Sequence, residues 1–393
     1  MSYIWYEIPP RFSPGERLPY GKIRPVDILN ELNPQQRMAV EAAPGPVLVL
    51  AGPGSGKTRV LAHRIAYLVN ALGVRPYNIL SVTFTNKAAR EMGNRVQKLL
   101  DQDLKGIWLG TFHGMCARIL RREAENLPFD RNFVIFDDDD QRTLVKQALE
   151  DLNLDEKIFR PVSVLSAISN AKNNLDTPES LEKAPRSEKK SKIDAILPRV
   201  YRKYQASLQA NNAVDFDDLL LWSWRLLEEN ADVKTRYARM FEHILVDEFQ
   251  DTNMVQYELL RHLASYHQNI FVVGDEDQSI YRWRGADYRN VLRFEEDYPR
   301  AEKILLEQNY RSTQVVLDAA TYVINQNLHR TPKRLKAMPD RGKGERIILH
   351  VAEDDIAEAA FVVKTIEQAV SKCAAKASDF AVMYRTNGQS RLV

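Results

Sequence analysis

A short apolar run at residues 47–50 leads directly into the glycine-rich segment 51–58, Ala-Gly-Pro-Gly-Ser-Gly-Lys-Thr. Apolar residues then recur at helical spacing on one face through residue 72. A glycine-rich turn between a strand and a helix lets backbone amides approach phosphate groups, while Lys57 neutralises their charge and the Thr58 hydroxyl binds magnesium. These residues predict a strand, a phosphate-binding loop and a helix.

Other short apolar runs predict the sheet to which this first strand belongs. They lie at residues 47–50, 79–84, 107–109, 243–246, 270–273 and 303–306, and a helical pattern follows most of them. Buried strands that alternate with helices indicate an α/β fold with a parallel sheet covered on both faces. Because ligands bind at the carboxyl ends of such strands, we expect the glycine-rich loop, Thr83, Thr111, Asp247 and Gly274 to meet there.

Residues 113–215 show a helical pattern that is broken by prolines, and they predict a helical subdomain inserted between strands of the sheet. The acidic run from Asp137 to Asp140 near its start is interpreted as an N-cap and first helical turn. Basic residues are frequent in the segment 183–203. They either contact duplex phosphates or form a solvated helix face, and the sequence leaves both alternatives open.

A new unit is predicted after Arg311. Its pattern gives a helix at 313–327, a strand at 346–351, a helix at 355–370 and a strand at 380–384. These elements are too few for an α/β domain with two buried faces. We therefore expect the second α/β domain to be incomplete and the chain to be truncated.

The bulk composition restricts the possible partners and the location. Among 393 residues, 55 Lys and Arg face 53 Asp and Glu, so a nucleic-acid surface would have to be a local basic stripe. Cys116 and Cys373 give no disulfide framework, which is typical of a reducing cytosol. No apolar run has the length of a membrane span, and the N-terminal arm, residues 1–30, has no signal-peptide core. We expect a cytoplasmic protein without a membrane partner.

The strand at 243–246 runs into Asp247 and Glu248. A carboxylate at such a strand end can hold magnesium, and its neighbour can orient and deprotonate the water that attacks a phosphate. Together with Lys57, the pair predicts hydrolysis of a nucleoside triphosphate. The amides of Gln250 and Gln278 are suited to reach a γ-phosphate or its water; ordinary polar loop residues are the alternative.

Large aromatic residues lie at strand-end positions beside basic and amide side chains. They are Phe84, Tyr281 and Trp283, near Thr83, Asn86, Lys87, Arg282 and Arg284. Bases stack on such rings with little sequence preference while basic groups hold the backbone. Aromatic residues of a packed core are the competing interpretation.

The ordered set of motifs closely resembles the UvrD/PcrA/Rep family of superfamily 1 DNA helicases, from about residue 32 to residue 391. The resemblance rests on the segments 32–36, 51–59, 83–89, 110–113, 214–219, 244–253, 272–287 and 306–313. It implies a RecA-like domain at 31–112 and 214–305, an inserted helical subdomain at 113–213, and the first part of a second RecA-like domain at 306–393.

The resemblance also implies individual roles at a nucleotide site. Gln36 would read the adenine and Tyr310 would stack on it. The phosphates would be bound by Gly52, Pro53, Gly54, Ser55, Gly56, Lys57, Thr58 and Arg59. Thr58 and Asp247 would hold Mg²⁺, Glu248 would be the base, Gln278 would sense the γ-phosphate, and Arg311 would be an arginine finger.

The implied partner is single-stranded DNA and its junctions with duplex DNA. Its contacts would be Thr83, Phe84, Asn86, Thr111, His113, Tyr281, Trp283 and Arg284. The implied function is ATP-dependent movement on a single strand from 3′ to 5′, with duplex unwinding in DNA repair or replication. Two alternatives stay open: the helicase part of a helicase–nuclease, and an ATP-responsive DNA-binding fragment without turnover.

Overall fold

The computed structural model describes residues 28–101, 105–183, 191–281, 285–327 and 330–392. The strands are β1 (Val47–Ala51), β2 (Ile79–Thr83), β3 (Trp108–Thr111), β4 (Val134–Ile135), β5 (Ala213–Val214), β6 (His243–Val246), β7 (Ile270–Gly274), β8 (Glu302–Leu306), β9 (Gln308–Asn309) and β10 (Lys336–Ala337). The helices are α1 (Pro34–Glu41), α2 (Lys57–Asn70), α3 (Asn86–Leu100), α4 (Phe112–Arg122), α5 (Asp138–Asp151), α6 (Pro161–Asn173), α7 (Pro178–Lys183), α8 (Lys192–Ala210), α9 (Phe216–Glu229), α10 (Ala231–Met240), α11 (Met254–Ala264), α12 (Arg289–Asp297), α13 (Gln314–Ile324) and α14 (Asp355–Ser371).

Six strands form one parallel sheet in the order β3-β2-β6-β7-β1-β8. In its register Leu50 lies opposite Gly274 of β7 and Leu305 of β8, while Val82 lies opposite Val246 of β6. The six apolar runs of the sequence are these six strands, which confirms the predicted α/β class. Because all of them run in one direction, their carboxyl ends meet along a single edge.

Both faces of this sheet are covered by helices. Leu48 and Leu50 pack into a core that includes residues of α4, α9 and α11. Val47 and Val49, on the opposite face, pack with residues of α1, α2 and α3. The strands are therefore apolar at successive positions, as expected for a sheet that is buried on both sides.

The helices α5 to α8 form a second packed unit with its own core, which includes Leu144, Ile168 and Val200. The parallel pair β4 and β5 closes its base. The helix that follows β3, α4, packs against the sheet and not in this second core. We therefore propose that the inserted subdomain spans 134–214, and that residues 113–122 of the predicted insertion belong to the sheet domain.

The acidic run Asp137–Asp140 forms the N-cap and first turn of α5, as predicted. The Asp137 side chain accepts hydrogen bonds from the backbone amides of Asp139 and Asp140, and the Asp140 carboxylate accepts from the Asp137 amide. Three carboxylates, Asp138 to Asp140, then occupy the first turn. There they interact favourably with the positive end of the helix dipole.

A buried ion cluster attaches the inserted helices to the sheet domain. The Lys172 ammonium on α6 lies 2.7 Å from Asp215 Oδ2 and 2.7 Å from Asp218 Oδ1, at the start of α9. The Tyr204 hydroxyl of α8 donates to Asp215 at 2.8 Å. Removing one partner of such a buried pair typically costs about 3–5 kcal/mol, so the cluster fixes how the insertion meets α9.

The region after residue 306 differs from the prediction. Helices α13 and α14 form close to the predicted positions, but residues 346–351 and 380–384 are not strands. Side chains of the first segment such as Leu349 and Val351 are more than four-fifths exposed. The prediction of two strands was wrong because a β-like local pattern forms a strand only where another strand pairs with it.

The N-terminal arm lies outside the described residues except for its last three. Ile28 and Leu29 are buried in the same core as α1 and α2, and the Ile28 carbonyl lies 2.6 Å from His63 Nδ1. Across the described ranges, no helix combines the length and the apolar character that crossing a bilayer requires.

Candidate active site

The loop between β1 and α2 has the conformation of a phosphate cradle. Gly54 and Gly56 adopt positive φ angles of 65° and 90°, which are readily accessible to glycine. The Ser55 hydroxyl donates to the Gly52 carbonyl at 2.7 Å and folds the loop back on itself. The N-cap of α2 is Gly56, which has no side chain to accept hydrogen bonds from the first amides of the helix. The first amides of α2 therefore remain available for an anion at the positive end of the helix.

An acidic pair faces this loop from the end of β6. The Lys57 ammonium lies 3.9 Å from Glu248 Oε2, with Lys57 largely buried and Glu248 about one-third exposed. Burial raises the pKa of the Asp247 carboxyl to about 7, and the adjacent Glu248 adds to the effect. A divalent cation would offset this cost of burying a carboxylate. The donor set of Asp247 with the Thr58 hydroxyl at the start of α2 thus fits Mg²⁺.

Glu248 is held in an unusual backbone conformation. Its φ and ψ angles are 48° and 47°, in the left-handed region that a glutamate rarely adopts. The Asp247 side chain accepts from the Glu248 amide at 3.0 Å, and the Asp251 amide donates to the Glu248 carbonyl at 2.9 Å. Such strain costs on the order of 1–3 kcal/mol and clusters at functional sites, where it fixes a side chain in one direction.

Gln250 connects the acidic pair to the next strand. Its Nε2 donates to Glu248 Oε2 at 2.9 Å, and its Oε1 accepts from the Asp275 amide at 2.9 Å. Gln278, one turn further, donates to Asp275 Oδ2 at 2.6 Å. The two glutamines singled out in the sequence therefore belong to one hydrogen-bonded chain that ends at the Glu248 carboxylate.

The segment after β8 lies directly on the phosphate loop. The Tyr310 amide donates to the Gly54 carbonyl at 2.9 Å, and the Asn309 side chain donates to the Pro53 carbonyl. A Cβ atom added to Gly54 would lie 2.8 Å from the Arg311 Cβ atom. The Arg311 side chain is exposed beside the loop. Its predicted position across the cleft from Lys57 is therefore compatible with the backbone path.

The predicted adenine residues lie together at the other end of this loop. Asn33 Nδ2 donates to the Tyr310 hydroxyl at 2.8 Å. Gln36 is fully buried; its Nε2 donates to the Ser55 carbonyl at 2.8 Å and its Oε1 accepts from the Asn33 amide at 3.2 Å. Gln36 thus braces the phosphate loop, and reading an adenine would require its amide to exchange partners. The Arg59 guanidinium forms an ion pair with the Glu31 carboxylate, with 2.8 Å between nitrogen and oxygen.

A cluster of charges that the sequence analysis did not single out joins the Asp275 loop to the segment after α13. The Lys333 ammonium is buried 2.8 Å from Asp275 Oδ1 and 3.1 Å from Asp277 Oδ2. The Arg330 guanidinium makes two hydrogen bonds of 2.9 Å with the Asp277 carboxylate. The sequence signal was the basic segment 330–336, which follows a helix and would otherwise be taken for a solvated loop.

Two of the predicted DNA-facing rings meet at the carboxyl edge of the sheet. Phe84, after β2, and Tyr281, after β7, stack with ring centroids 5.2 Å apart and an angle of 26°. Both side chains are partly exposed. Trp283 and Arg284 lie outside the described residues.

The other predicted DNA contacts differ in whether their side chains are buried or exposed. The Thr83 side chain is buried, and its hydroxyl donates to the Thr85 carbonyl at 3.1 Å. A contact of Thr83 with DNA would therefore have to come from its backbone. Asn86 is exposed in the first turn of α3. Thr111 caps α4 by accepting from the Gly114 amide at 3.2 Å. His113 packs edge-on against Phe216, and burial lowers its pKa.

A parallel sheet whose glycine-rich loop and lysine face an acidic pair defines the P-loop class of α/β nucleotide-binding folds. The family model described as the UvrD/REP helicase N-terminal domain matches residues 32–299. The model described as the UvrD-like helicase C-terminal domain matches residues 304–393. The chain belongs to the UvrD/REP helicase family.

Similar proteins are named as ATP-dependent DNA helicase PcrA. The protein of Bacillus subtilis (strain 168) is 48% identical over 366 residues, which are 93% of this chain and 49% of that protein. The Staphylococcus aureus (strain Mu50) protein gives the same values. The Leuconostoc citreum protein is 48% identical over 365 residues, 93% of this chain and 48% of its own length.

The chain therefore spans about half the length of the curated relatives that it matches. Because models of both the N-terminal and the C-terminal family domain match, the comparisons do not support the expectation of a truncated second domain.

Proposed function

We propose that this chain binds Mg-ATP between the sheet domain and the segment after β8, and that it belongs to an ATP-driven motor on DNA. The phosphates lie on the loop that carries Lys57. Thr58 and Asp247 hold Mg²⁺, which when bound neutralises charge on the phosphate oxygens. The names of the PcrA relatives, all ATP-dependent DNA helicases, support this assignment.

In the proposed reaction Glu248 takes a proton from a water molecule as that water attacks the γ-phosphorus. The new bond joins the water oxygen to phosphorus, and the bond to the β–γ bridging oxygen breaks to leave ADP and phosphate. Lys57 offsets the negative charge that shifts to the leaving oxygen. Arg311 approaches the same phosphate from the opposite side of the cleft. Arg311 contributes only when the cleft closes and brings its guanidinium to the phosphate. In other phosphoryl-transfer proteins an arginine finger raises the rate by about 10³-fold or more.

The observation that carries this proposal is the double hydrogen bond of Gln250 to Glu248 and Asp275. It ties the catalytic carboxylate to the loop that contains Gln278 and continues to Tyr281. Hydrogen bonds link Glu248 through Gln250 and Asp275 to Gln278, and the backbone then leads from Gln278 to Tyr281. A change at the γ-phosphate is transmitted along this path to the stacked pair Phe84 and Tyr281. This is the coupling that a DNA motor requires between hydrolysis and its grip on the strand.

Movement follows from alternate opening and closing of the cleft. The γ-phosphate attracts Lys57 and Arg311 from its two sides, and its release removes that attraction. Bases held on aromatic rings are gripped and released in step, and the strand advances. The 3′ to 5′ direction, the unwinding of a duplex at a junction, and a role in DNA repair or replication are proposed from the family resemblance alone.

Steady-state hydrolysis of ATP by this chain, with and without single-stranded DNA, tests the proposal. We expect magnesium-dependent turnover that single-stranded DNA increases. Binding of ATP and DNA without any hydrolysis would instead favour an ATP-responsive binding module. Failure to bind ATP at all would reject the nucleotide site.

A further inference from the structure

One face of α4 carries a row of arginines that the nucleotide site does not use. Gly114, Ala117, Arg118, Arg121 and Arg122 recur at intervals of three and four residues, so they share this face. With Arg131 from the following loop they line an open groove of about 530 Å³, which we call the arginine groove. Gly114 and Ala117 line it near the start of α4, and the four arginines line the rest together with Ala124 and Glu125.

Aromatic rings hold three of these guanidinium groups in place. The Arg118 Cζ atom lies 3.7 Å from the centroid of the Trp108 ring, and the Arg122 Cζ atom lies 5.0 Å from it. Arg121 lies over the Phe133 ring at 5.1 Å. An arginine that is already positioned by a ring loses less conformational entropy when it binds an anion, and its planar fork matches phosphate oxygens.

The positive charge of the arginine groove is not neutralised within the described parts of the chain. None of its four arginines forms an ion pair with a described carboxylate. Glu123, which follows α4 directly, is paired with Arg236 and accepts a hydrogen bond from the Tyr237 hydroxyl instead. Glu125 is the one acidic residue in the lining. By contrast, Arg202 in the basic segment 183–203 is paired with Glu179 and Glu182 at 3.2 and 3.0 Å.

The arginine groove continues from residues that already face the carboxyl edge of the sheet. Its first lining residue, Gly114, follows directly after His113, and Thr111 caps the same helix. From residue 114 to residue 122, where α4 ends, the helix rises about 12 Å. That length matches about three to four phosphates at B-form spacing, and fewer in an extended strand. The rings that hold these arginines, Trp108 and Phe133, are buried, so contacts there would be to phosphates and not to stacked bases.

We propose that the arginine groove binds the sugar–phosphate backbone of single-stranded DNA and extends the strand's path beyond Thr111 and His113. This inference rests on the proposed function, because a DNA strand must reach the sheet edge before it can continue along α4. The contact is independent of base sequence, since guanidinium groups that meet phosphates carry no base-specific information.

Binding of fluorescent single-stranded oligonucleotides of two lengths, at several salt concentrations, tests this assignment. Lengths of about 8 and about 16 nucleotides lie within the range of site sizes of single-strand grooves. The variant is the double substitution Arg121→Gln and Arg131→Gln, which leaves the Trp108 stack intact. The matched control is Arg202→Gln, an exposed arginine whose charge is already paired.

We expect the double variant to bind the longer strand more weakly, with a log–log salt slope smaller by about 1.4, or about 0.7 for each lost phosphate contact. Binding of the shorter strand, ATP hydrolysis without DNA, and the control variant should match the parent. An unchanged slope on the longer strand would overturn the inference.

A third probe, a blunt hairpin duplex, separates the two forms of DNA. A slope that falls only for the hairpin would reject the single-strand assignment. If the parent chain binds neither oligonucleotide, the proposed function itself fails, and this result is distinct from failure of the arginine groove.

Discussion

The ammonium group of Lys333 lies 2.8 Å from Asp275 Oδ1, and both side chains are almost completely buried. Their positions are 58 residues apart in the chain. Asp275 begins the loop that carries Gln278, while Lys333 follows α13 in the region matched by the C-terminal family domain. The pair therefore ties the loop that we propose to sense the γ-phosphate to the opposite side of the cleft.

Replacing Lys333 with methionine should destabilise the protein by about 3–5 kcal/mol, because Asp275 would remain buried without its cation. We also expect ATP turnover to fall more than ATP affinity, since Asp275 orients Gln278 and Gln250. Urea unfolding and steady-state kinetics measure the two effects.

The double substitution Lys333→Met and Asp275→Asn should recover part of the lost stability, because no unpaired buried charge remains. The exposed Lys364→Met serves as the control. Equal losses of stability in the control and in Lys333→Met would show that the ion pair contributes nothing specific.

Replacing Phe84 with alanine should weaken single-stranded DNA binding by about 1–3 kcal/mol, the usual cost of one lost base–aromatic stack. Affinity for ATP without DNA should stay the same, because Phe84 contacts Tyr281 at the sheet edge and not the phosphate loop. Fluorescence anisotropy with a labelled strand measures the first quantity and nucleotide titration the second.

Tyr266→Ala is the matched control for Phe84. Tyr266 is an exposed ring just before β7, at the opposite edge of the sheet. If both substitutions weaken DNA binding equally, Phe84 has no particular place in the DNA path.

His243, at the start of β6, should contribute to the pH dependence of the free energy of unfolding. Burial, with the nearby charges of Arg64 and His267, lowers its pKa to about 4, against about 6.5 in an unfolded chain. As pH falls through this window the unfolded state takes up the proton first, so stability is lost. The contribution amounts to roughly 3 kcal/mol between about pH 6.5 and pH 4.

His243→Gln should remove that contribution. The difference in unfolding free energy between parent and variant should therefore shrink or change sign as pH falls from 7 to 4.5, whereas other titrating groups cancel in the comparison. His350→Gln, at an exposed position, should show no such trend. A parallel pH dependence in the parent and His243→Gln would contradict the assignment.

Local patterns were sufficient for much of the fold. The four inner strands of the sheet, β1, β2, β6 and β7, are runs that are buried on both faces. Asp137 marks a helix start by its position alone. The strands expected at 346–351 and 380–384 failed for the opposite reason. Strand formation depends on a pairing partner elsewhere, and local β-propensity does not specify one.

In the site, too, some residues follow from local sequence patterns and others depend on contacts between distant segments. Lys57, Thr58, Asp247 and Glu248 follow from loop chemistry at strand ends, and the structure brings the loop and the acidic pair together. The roles of Lys333 and Gln250 depend on contacts between distant segments that no spacing reveals. Thr83 was expected to face DNA, yet its side chain turns inward, because side-chain direction at a strand end depends on the packing around it.

In the proposed reaction the Glu248 carboxylate beside Lys57 activates the water that cleaves ATP. Single-turnover hydrolysis of ATP by the parent and by Glu248→Gln, with nucleotide binding measured in parallel, tests it most directly. We predict unchanged binding, because glutamine can still accept from Gln250, and a rate lower by about 10²–10⁴-fold, because the general base is lost. Hydrolysis by Glu248→Gln at the parental rate would contradict the account.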